Sequence, residues 1–350
     1  MIARGLRPGQ ARLAARLLLQ GLYRDDRPWP ELLASLPRRA RPHLAELCTP
    51  PVQLQVDAAL RSDDGALKLR LRAADGHLFE TAVYRSSTGR RATVCVSSQV
   101  GCGRRCAFCQ TGRMGLVRNL TAGEIVAQWR TALREWTSAD GPRPTRIAFM
   151  GMGEPLDNLA AVGPATHVLS HPWAAAVPWR RITVSTSGVA WRLPRFFAEV
   201  RAQLAVSFNA PDDARRRILM PVNAHAGLGE LRQTLLDHLP AGRTLLGAYV
   251  LIATFTELPA DADLLADWLQ GLPARVNLIP ANAGPTPGLN APSEAAIQAF
   301  ADRLRARGLR VLFRRCKGAA IAAACGQLAA ALPPATAGKA TAAAARPTAP

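Results

Sequence analysis

From residue 92 onward, short apolar runs and helical patterns take turns along the chain. Runs at 93–96, 147–150, 182–185, 204–208, 245–252, 276–279 and 311–313 read as strands. Patterns at 121–136, 158–170, 228–239, 261–270 and 293–307 read as helices. Thr121-Ala-Gly-Glu124 has the form of a capping box opening the first helix. Strand-then-helix order repeated this often admits few folds. It predicts an α/β architecture, a parallel sheet with helices outside, curled into a partial barrel. Chemistry on such a sheet belongs at the carboxyl ends of the strands.

The chain before residue 92 follows other periods. Leu13, Ala14, Leu17, Leu18 and Leu22 fall at helical spacing, and Pro28 and Pro30 precede a second helix near 31–36. Segments 52–56, 67–71 and 78–83 alternate as strands do, separated by Asp63-Asp-Gly and Ala74-Asp-Gly turns. The expected division is a helical part at 1–48, a β-meander at 49–91, a core at 92–332 and a disordered Ala/Pro-rich tail at 333–350. The apolar run 13–22 is too short and too charged to span a bilayer, and no signal-peptide cleavage pattern follows it. A cytoplasmic protein with no membrane contact is expected.

Three of the seven cysteines stand in Cys102-Gly-Arg-Arg-Cys106-Ala-Phe-Cys109, just after the first strand of the alternating region. Thiolates this close in a glycine-containing loop can converge on one inorganic centre. Three ligands fall short of the four that a structural zinc site or an ordinary iron–sulfur cluster takes. On a four-iron cube they leave one iron open for a substrate or cofactor. An odd cysteine count without a disulfide-like scatter also indicates a reducing compartment.

Net charge is +19, from 44 basic and 25 acidic residues, which points to a polyanionic partner. Arg85, Arg90, Arg91, Arg104, Arg105, Arg113 and Arg118 surround the cysteine loop in sequence. A second run spans 303–317. A basic rim around a chemical site suits an enzyme acting on nucleic acid, although solvated helix faces explain part of the second run.

Other signals are weaker singly. Gly151-Met-Gly-Glu154-Pro155 follows a strand, where glycines allow close approach and a carboxylate can accept from an ammonium group. Ser185, Ser207 and Asn209 end the next two strands. Such residues point into one crevice, or else cap helices and form turns. Cys325 sits among small residues, and an Ala-rich helix is its plain setting. Cys95 reads as core, and Cys48 and Cys316 as structural thiols.

Taken in order, these segments resemble the RlmN/Cfr family of radical S-adenosylmethionine (SAM) RNA methyltransferases, closer to RlmN. The resemblance runs from about residue 10 to about 330. It is densest at Cys95-Val-Ser-Ser-Gln-Val-Gly-Cys102, Arg118-Asn-Leu-Thr, Met150-Gly-Met-Gly-Glu-Pro-Leu, Ile182-Thr-Val-Ser-Thr-Ser-Gly, Val276-Asn-Leu-Ile-Pro and Ala324-Cys-Gly-Gln-Leu328. It implies a partial (β/α) barrel of the radical SAM type with a small helical plus β-meander N-terminal part that contacts RNA.

By that resemblance, Cys102, Cys106 and Cys109 hold a 4Fe–4S cluster. Cys325 accepts a methyl group from one S-adenosyl-L-methionine as S-methylcysteine. A second is cleaved to a radical that takes hydrogen from that methyl, whose carbon then adds to an adenine, at carbon 2, in rRNA or tRNA. Cys95 resolves the adduct through a transient disulfide with Cys325, and Glu80 is the proton acceptor. Gly153, Glu154, Ser185, Ser207, Asn209 and Asn282 match the cofactor contacts. A monomer served by a flavodoxin or ferredoxin system is implied. Departures exist: Asn209 stands where the family usually has His, and Cys316-Lys-Gly-Ala-Ala320 replaces a pattern with two carboxylates. Glu80 lies two residues out of register with Cys95. The alternatives are a radical enzyme of another reaction type on RNA, or a non-catalytic RNA- or ribosome-binding protein.

Overall fold

Leu6, Leu18, Leu22, Leu32, Leu36 and Leu44 meet in a small core of their own. They come from the N-terminal helices α1 (Pro8–Tyr23), α2 (Trp29–Ser35) and α3 (Arg41–Leu47), with Leu6 and Leu36 beside them. The computed structural model describes residues 6–221, 227–282, 286–314 and 317–330, so the tail expected at 333–350 and Cys316 lie outside the described residues. Gly21 lets α2 approach, because a Cβ there would fall on Leu32. The helical unit is fastened to the rest by Asp26, which pairs with Arg130 at 2.7 Å and with Arg134 at 2.5 Å.

Three antiparallel strands follow: β1 (Gln55–Ser62), β2 (Ala66–Arg72) and β3 (Leu78–Arg85). The first was expected at 52–56. The Asp63–Gly65 turn sets Ser62 opposite Ala66 and so carries the strand toward the turn, with a bulge between Val56 and Ala58.

The meander does not stand apart. β3 pairs antiparallel with β4 (Ala92–Cys95), and among the described residues a ten-stranded sheet results. Beyond β4 it continues in parallel through β7 (Arg146–Phe149), β8 (Ile182–Thr186), β9 (Gln203–Ser207), β10 (Leu245–Leu251), β11 (Ala274–Pro280) and β12 (Arg310–Phe313). Side chains from β4, β7, β8, β10, β11 and β12 line one cavity, so the sheet curls around it as a half-barrel.

The outer layer is α5 (Ala122–Glu135), α6 (Leu159–Ser170), α7 (Leu193–Glu199), α9 (Leu228–His238), α10 (Pro259–Leu269) and α11 (Glu294–Ala306). The capping box is present: Thr121 Oγ1 accepts from Glu124 N and Glu124 accepts from Thr121 N. α7 and the short α8 (Asp213–Leu219) were not anticipated, since seven residues give too few turns for a periodic signal.

A separate ribbon of β5 (Gln99–Gly101) and β6 (Leu116–Asn119) brackets the cysteine loop and the single-turn α4 (Gln110–Arg113). Gly101 has φ +73°, and a Cβ there would strike the carbonyl oxygen of Gly115. Gly101→Ala is therefore expected to open this ribbon, costing about 2 kcal/mol or more, and to lower iron content after anaerobic reconstitution. Iron at the wild-type level in that variant would show the ribbon is not what holds the loop.

Candidate active site

The cysteine loop leaves the sheet beyond the carboxyl end of β4 and is tied down at several points. Cys102 N donates to Gly115 O at 2.8 Å, and Ala107 N to Leu219 O at 2.8 Å. Arg104, nearly buried, forms a bidentate pair with Asp157, one arm at 2.9 Å. Cys102, Cys106 and Cys109 together line one end of a cavity of about 190 Å³.

Burial raises all three thiols, Cys102 to about 12, and each is raised further by its neighbours. As they stand they are protonated, and a thiolate set here needs cationic charge among it, which an iron centre supplies. Among the described residues no three Cys, His, Asp or Glu converge on a single ion. The donor set fits a 4Fe–4S group with one iron left open.

The other walls of this cavity come from the carboxyl ends of consecutive strands, as the sheet rule predicts. Gly153, Glu154, Ser185, Ser207, Asn209 and Asn282 all line it. Glu154 is 3% exposed and raised by burial, and it accepts from Ser187 N at 2.7 Å and Leu156 N at 3.0 Å. Gly151 and Gly153 serve packing as well: a Cβ at either would press on 96–99, within 2.7 Å of Ser97 Oγ or 2.6 Å of Gln99 Cβ. Asn209 takes a left-handed backbone, φ +58°, which Asn tolerates, and accepts from Val250 N at 3.3 Å.

Cys325 lies in a loop, not in an Ala-rich helix. Gly318, Ala322 and Gly326 all have positive φ, which rules out a continuous helix. The loop is sewn to both sides of the barrel. On one side Lys68 Nζ donates to Ala322 O at 3.3 Å, Tyr84 Oη to Ala323 O, and Ala329 N to Glu80 Oε2 at 3.0 Å. On the other, Gln110 N donates to Gly326 O at 2.7 Å and Thr111 Oγ1 to Leu328 O at 2.5 Å. Asn282 Nδ2 holds the carbonyl of Cys325 itself at 2.9 Å.

Cys325 therefore lines two cavities. One is the cysteine-walled cavity. The other, about 410 Å³, runs inside the half-barrel and is also lined by Cys95. Cys95 is fully buried, and desolvation together with nearby Cys325 pushes its thiol up to about 12. Both are free thiols.

Glu80 is the one candidate set apart. It lines neither cavity and is fully buried, with its carboxylate 3.1 Å from Lys68 Nζ. Burial raises its carboxyl above the ordinary 4.5 despite the ammonium beside it. Removing Lys68 leaves an uncompensated buried charge, so Lys68→Met is expected to cost about 3–5 kcal/mol at neutral pH. A carboxyl whose folded pKa is raised gives stability at low pH that is lost as pH rises through that pKa. The deficit of Lys68→Met should thus shrink as pH falls. Denaturant melts at acid and neutral pH check this, and a pH-independent deficit would contradict it.

Sequence reading missed Lys68 and Arg314. Lys68 sits in a plain alternating strand, Ala66–Arg72, where a buried lysine gives no signal. Arg314 lines both cavities, and its Nη1 is 2.9 Å from Met150 Sδ. The sequence placed it in the second basic run and gave no sign that it reaches the barrel interior.

Residues 96–228 match the family model described as the Radical SAM superfamily. The chain is 48% identical over 299 residues to a probable RNA methyltransferase of Sorangium cellulosum, covering 85% of this chain and 74% of that one. It is 41% identical over 327 residues to the dual-specificity RNA methyltransferase RlmN of Anaeromyxobacter dehalogenans, covering 92% and 87%. A crystal structure of a radical SAM methyltransferase from Sphaerobacter thermophilus superposes with a TM-score of 0.82 at 39% identity, covering 94% of this chain and 95% of that one.

Proposed function

The chain belongs to the RlmN family of radical SAM RNA methyltransferases, and we propose that it methylates an adenine ring carbon of rRNA or tRNA, carbon 2, through a methyl group carried on Cys325. The observation that carries this is the position of Cys325 on two cavities at once. There it is open both to the space walled by the cluster cysteines and to the adjoining space lined by Cys95.

Cys102, Cys106 and Cys109 would hold the 4Fe–4S cluster. With S-adenosyl-L-methionine, two per turnover, that group supplies one-electron chemistry able to remove hydrogen from a methyl group. Gly153 and Glu154 would hold the amino end of the cofactor, and Ser185, Ser207, Asn209 and Asn282, which line the same cavity, would take its remaining polar groups. A carboxylate has about four acceptor positions, so Glu154 can take an ammonium proton beside the two amides it already meets.

The adduct formed when the methyl carbon of Cys325 joins the adenine carries an unpaired electron, which would return to the iron–sulfur group; three acts then remain for the protein. Glu80 accepts the ring proton, and its raised carboxyl is a stronger base than an ordinary one. Glu80 is fully buried and lines neither cavity, so the loop that covers it through Ala329 N–H would have to shift for the ring proton to reach it. Cys95 then attacks the sulfur of Cys325: a sulfur–sulfur bond forms, the sulfur–carbon bond breaks, and the carbon takes up a proton. The disulfide is reduced before the next round.

The helical unit at 1–48 takes part in holding RNA, and a flavodoxin or ferredoxin system supplies electrons to a cytoplasmic monomer. No helix among the described residues is long and apolar enough to cross a membrane.

The test is reconstituted protein with RNA, reductant and labelled S-adenosylmethionine. The expected products are 2-methyladenosine in the digested RNA, with deoxyadenosine and S-adenosylhomocysteine in equal amounts. Deoxyadenosine without a methylated nucleoside would instead indicate another radical reaction. RNA binding with neither product would indicate a non-catalytic binder.

A further inference from the structure

The barrel has a second face, opposite the cysteine loop, where the parallel strands begin. Arginines stand at the start of every one of them. Arg91 precedes β4, Arg146 opens β7 and Arg181 precedes β8. Arg201 and Arg243 lie two residues ahead of β9 and β10. On the last pair Arg275 and Arg310 sit side by side in register. These residues are scattered over more than two hundred positions, and only the sheet gathers them.

Their charges are not spent on the protein. Among the described residues no carboxylate pairs with Arg91, Arg146, Arg181, Arg201 or Arg310, although each is exposed or half-exposed. The basic run in α11 behaves differently: Arg303, Arg305 and Arg307 are all matched, by Asp263, Asp302 and Asp267. Near the cysteine loop, Arg104 and Arg118 are matched as well, by Asp157 and Glu124. At the strand starts like charges face one another. Burial and the charges of Arg91 and Arg181 lower Arg146, and burial with Arg180 and Arg201 lowers Arg243. Trp179 helps hold this arrangement, with Arg180 and Arg243 stacked over its ring at 4.5 and 4.1 Å.

This face also opens inward. Arg85, Arg146 and Arg181 line the mouth of the 410 Å³ cavity whose far end is lined by Cys95, Asn282 and Cys325. That volume is in the range of about 300–1,000 Å³ usual for small-molecule sites. The helical unit borders the same face, since Tyr23 and Arg24 share a surface hollow with Arg143 and Arg181.

We propose that the substrate RNA lies across this strand-start face, its phosphates on the arginine ring, and passes one unstacked nucleotide between Arg146 and Arg181 to Cys325. The proposal rests on the RNA methyltransferase reading above and deepens it. Cofactor and RNA then approach Cys325 from opposite ends of the barrel. An RNA strand is a line of phosphates, and a row of unpaired guanidiniums at strand spacing suits it. Chemistry on a base requires that base to leave its stack, and the cavity behind the phosphate row receives it.

The test is anisotropy of a dye-labelled RNA hairpin, with an adenine in its loop, titrated with the full-length protein across a range of salt. For Arg146→Gln/Arg181→Gln, affinity should fall about tenfold, and the slope of log affinity against log salt should flatten by ~1.4, as expected for two phosphates. Arg195→Gln/Arg303→Gln removes equal charge from the helical layer and should bind within about twofold of wild type. Arg146→Lys/Arg181→Lys keeps charge at the face and should bind within about threefold, which separates lost charge from a lost fold. Wild-type affinity and slope in the Gln pair, with wild-type protein binding RNA normally, would overturn this face while leaving the methyltransferase reading standing. A wild-type protein that neither binds nor methylates RNA would overturn both.

Discussion

Cys95→Ala protein, after reaction with RNA, is expected to be recovered with RNA covalently attached through Cys325. Cys95 is fully buried beside Cys325 at the inner end of the barrel cavity, out of reach of bulk thiols. Alanine fills that place without an attacking sulfur, so nothing can break the sulfur–carbon bond to the adenine. Each molecule should stop after one event. A labelled-RNA band that migrates with the protein under denaturing conditions, and disappears on nuclease digestion, is the readout. Protein that emerges free of RNA with a normal yield of methylated adenosine would show that Cys95 does not resolve the adduct. The side chain change is small and the site is core, so a cavity cost of about 1 kcal/mol should not unfold the protein.

Cys102→Ala is expected to abolish iron binding and activity together. It is a buried residue, with Arg104 N–H 3.5 Å from its sulfur. With two thiolates left, two irons of a cube would lack a protein ligand. Iron analysis and the visible absorbance of reconstituted protein give the answer, and wild-type iron in the variant would refute the assignment. Cys48, at the edge of the helical core, makes the control. Cys48→Ala should keep its iron.

Much of the frame was visible before the structure. The alternation after residue 92 gave every parallel strand within a few positions, because buried parallel strands read as continuous apolar runs. The cysteine triplet and the Gly151–Glu154 stretch both appear at strand carboxyl ends. What sequence could not give was position across long separations. The meander looked like a separate unit because β3 pairs with β4 through register, which no local period encodes. Glu80 looked like a lone base, yet it is bound to Lys68 and to the loop of Cys325. Charge was misjudged in the same way. Within the arginine runs close in sequence, Arg104, Arg118, Arg303, Arg305 and Arg307 proved matched by carboxylates, whereas the strand-start arginines that the sheet gathers did not.

The central claim is that Cys325 carries the methyl group. Mass spectrometry of the tryptic peptide containing Cys325, from anaerobically purified protein with a full cluster and S-adenosylmethionine supplied, tests it most directly. The account predicts a gain of one methyl group on that cysteine. An unmodified thiol under those conditions would contradict it.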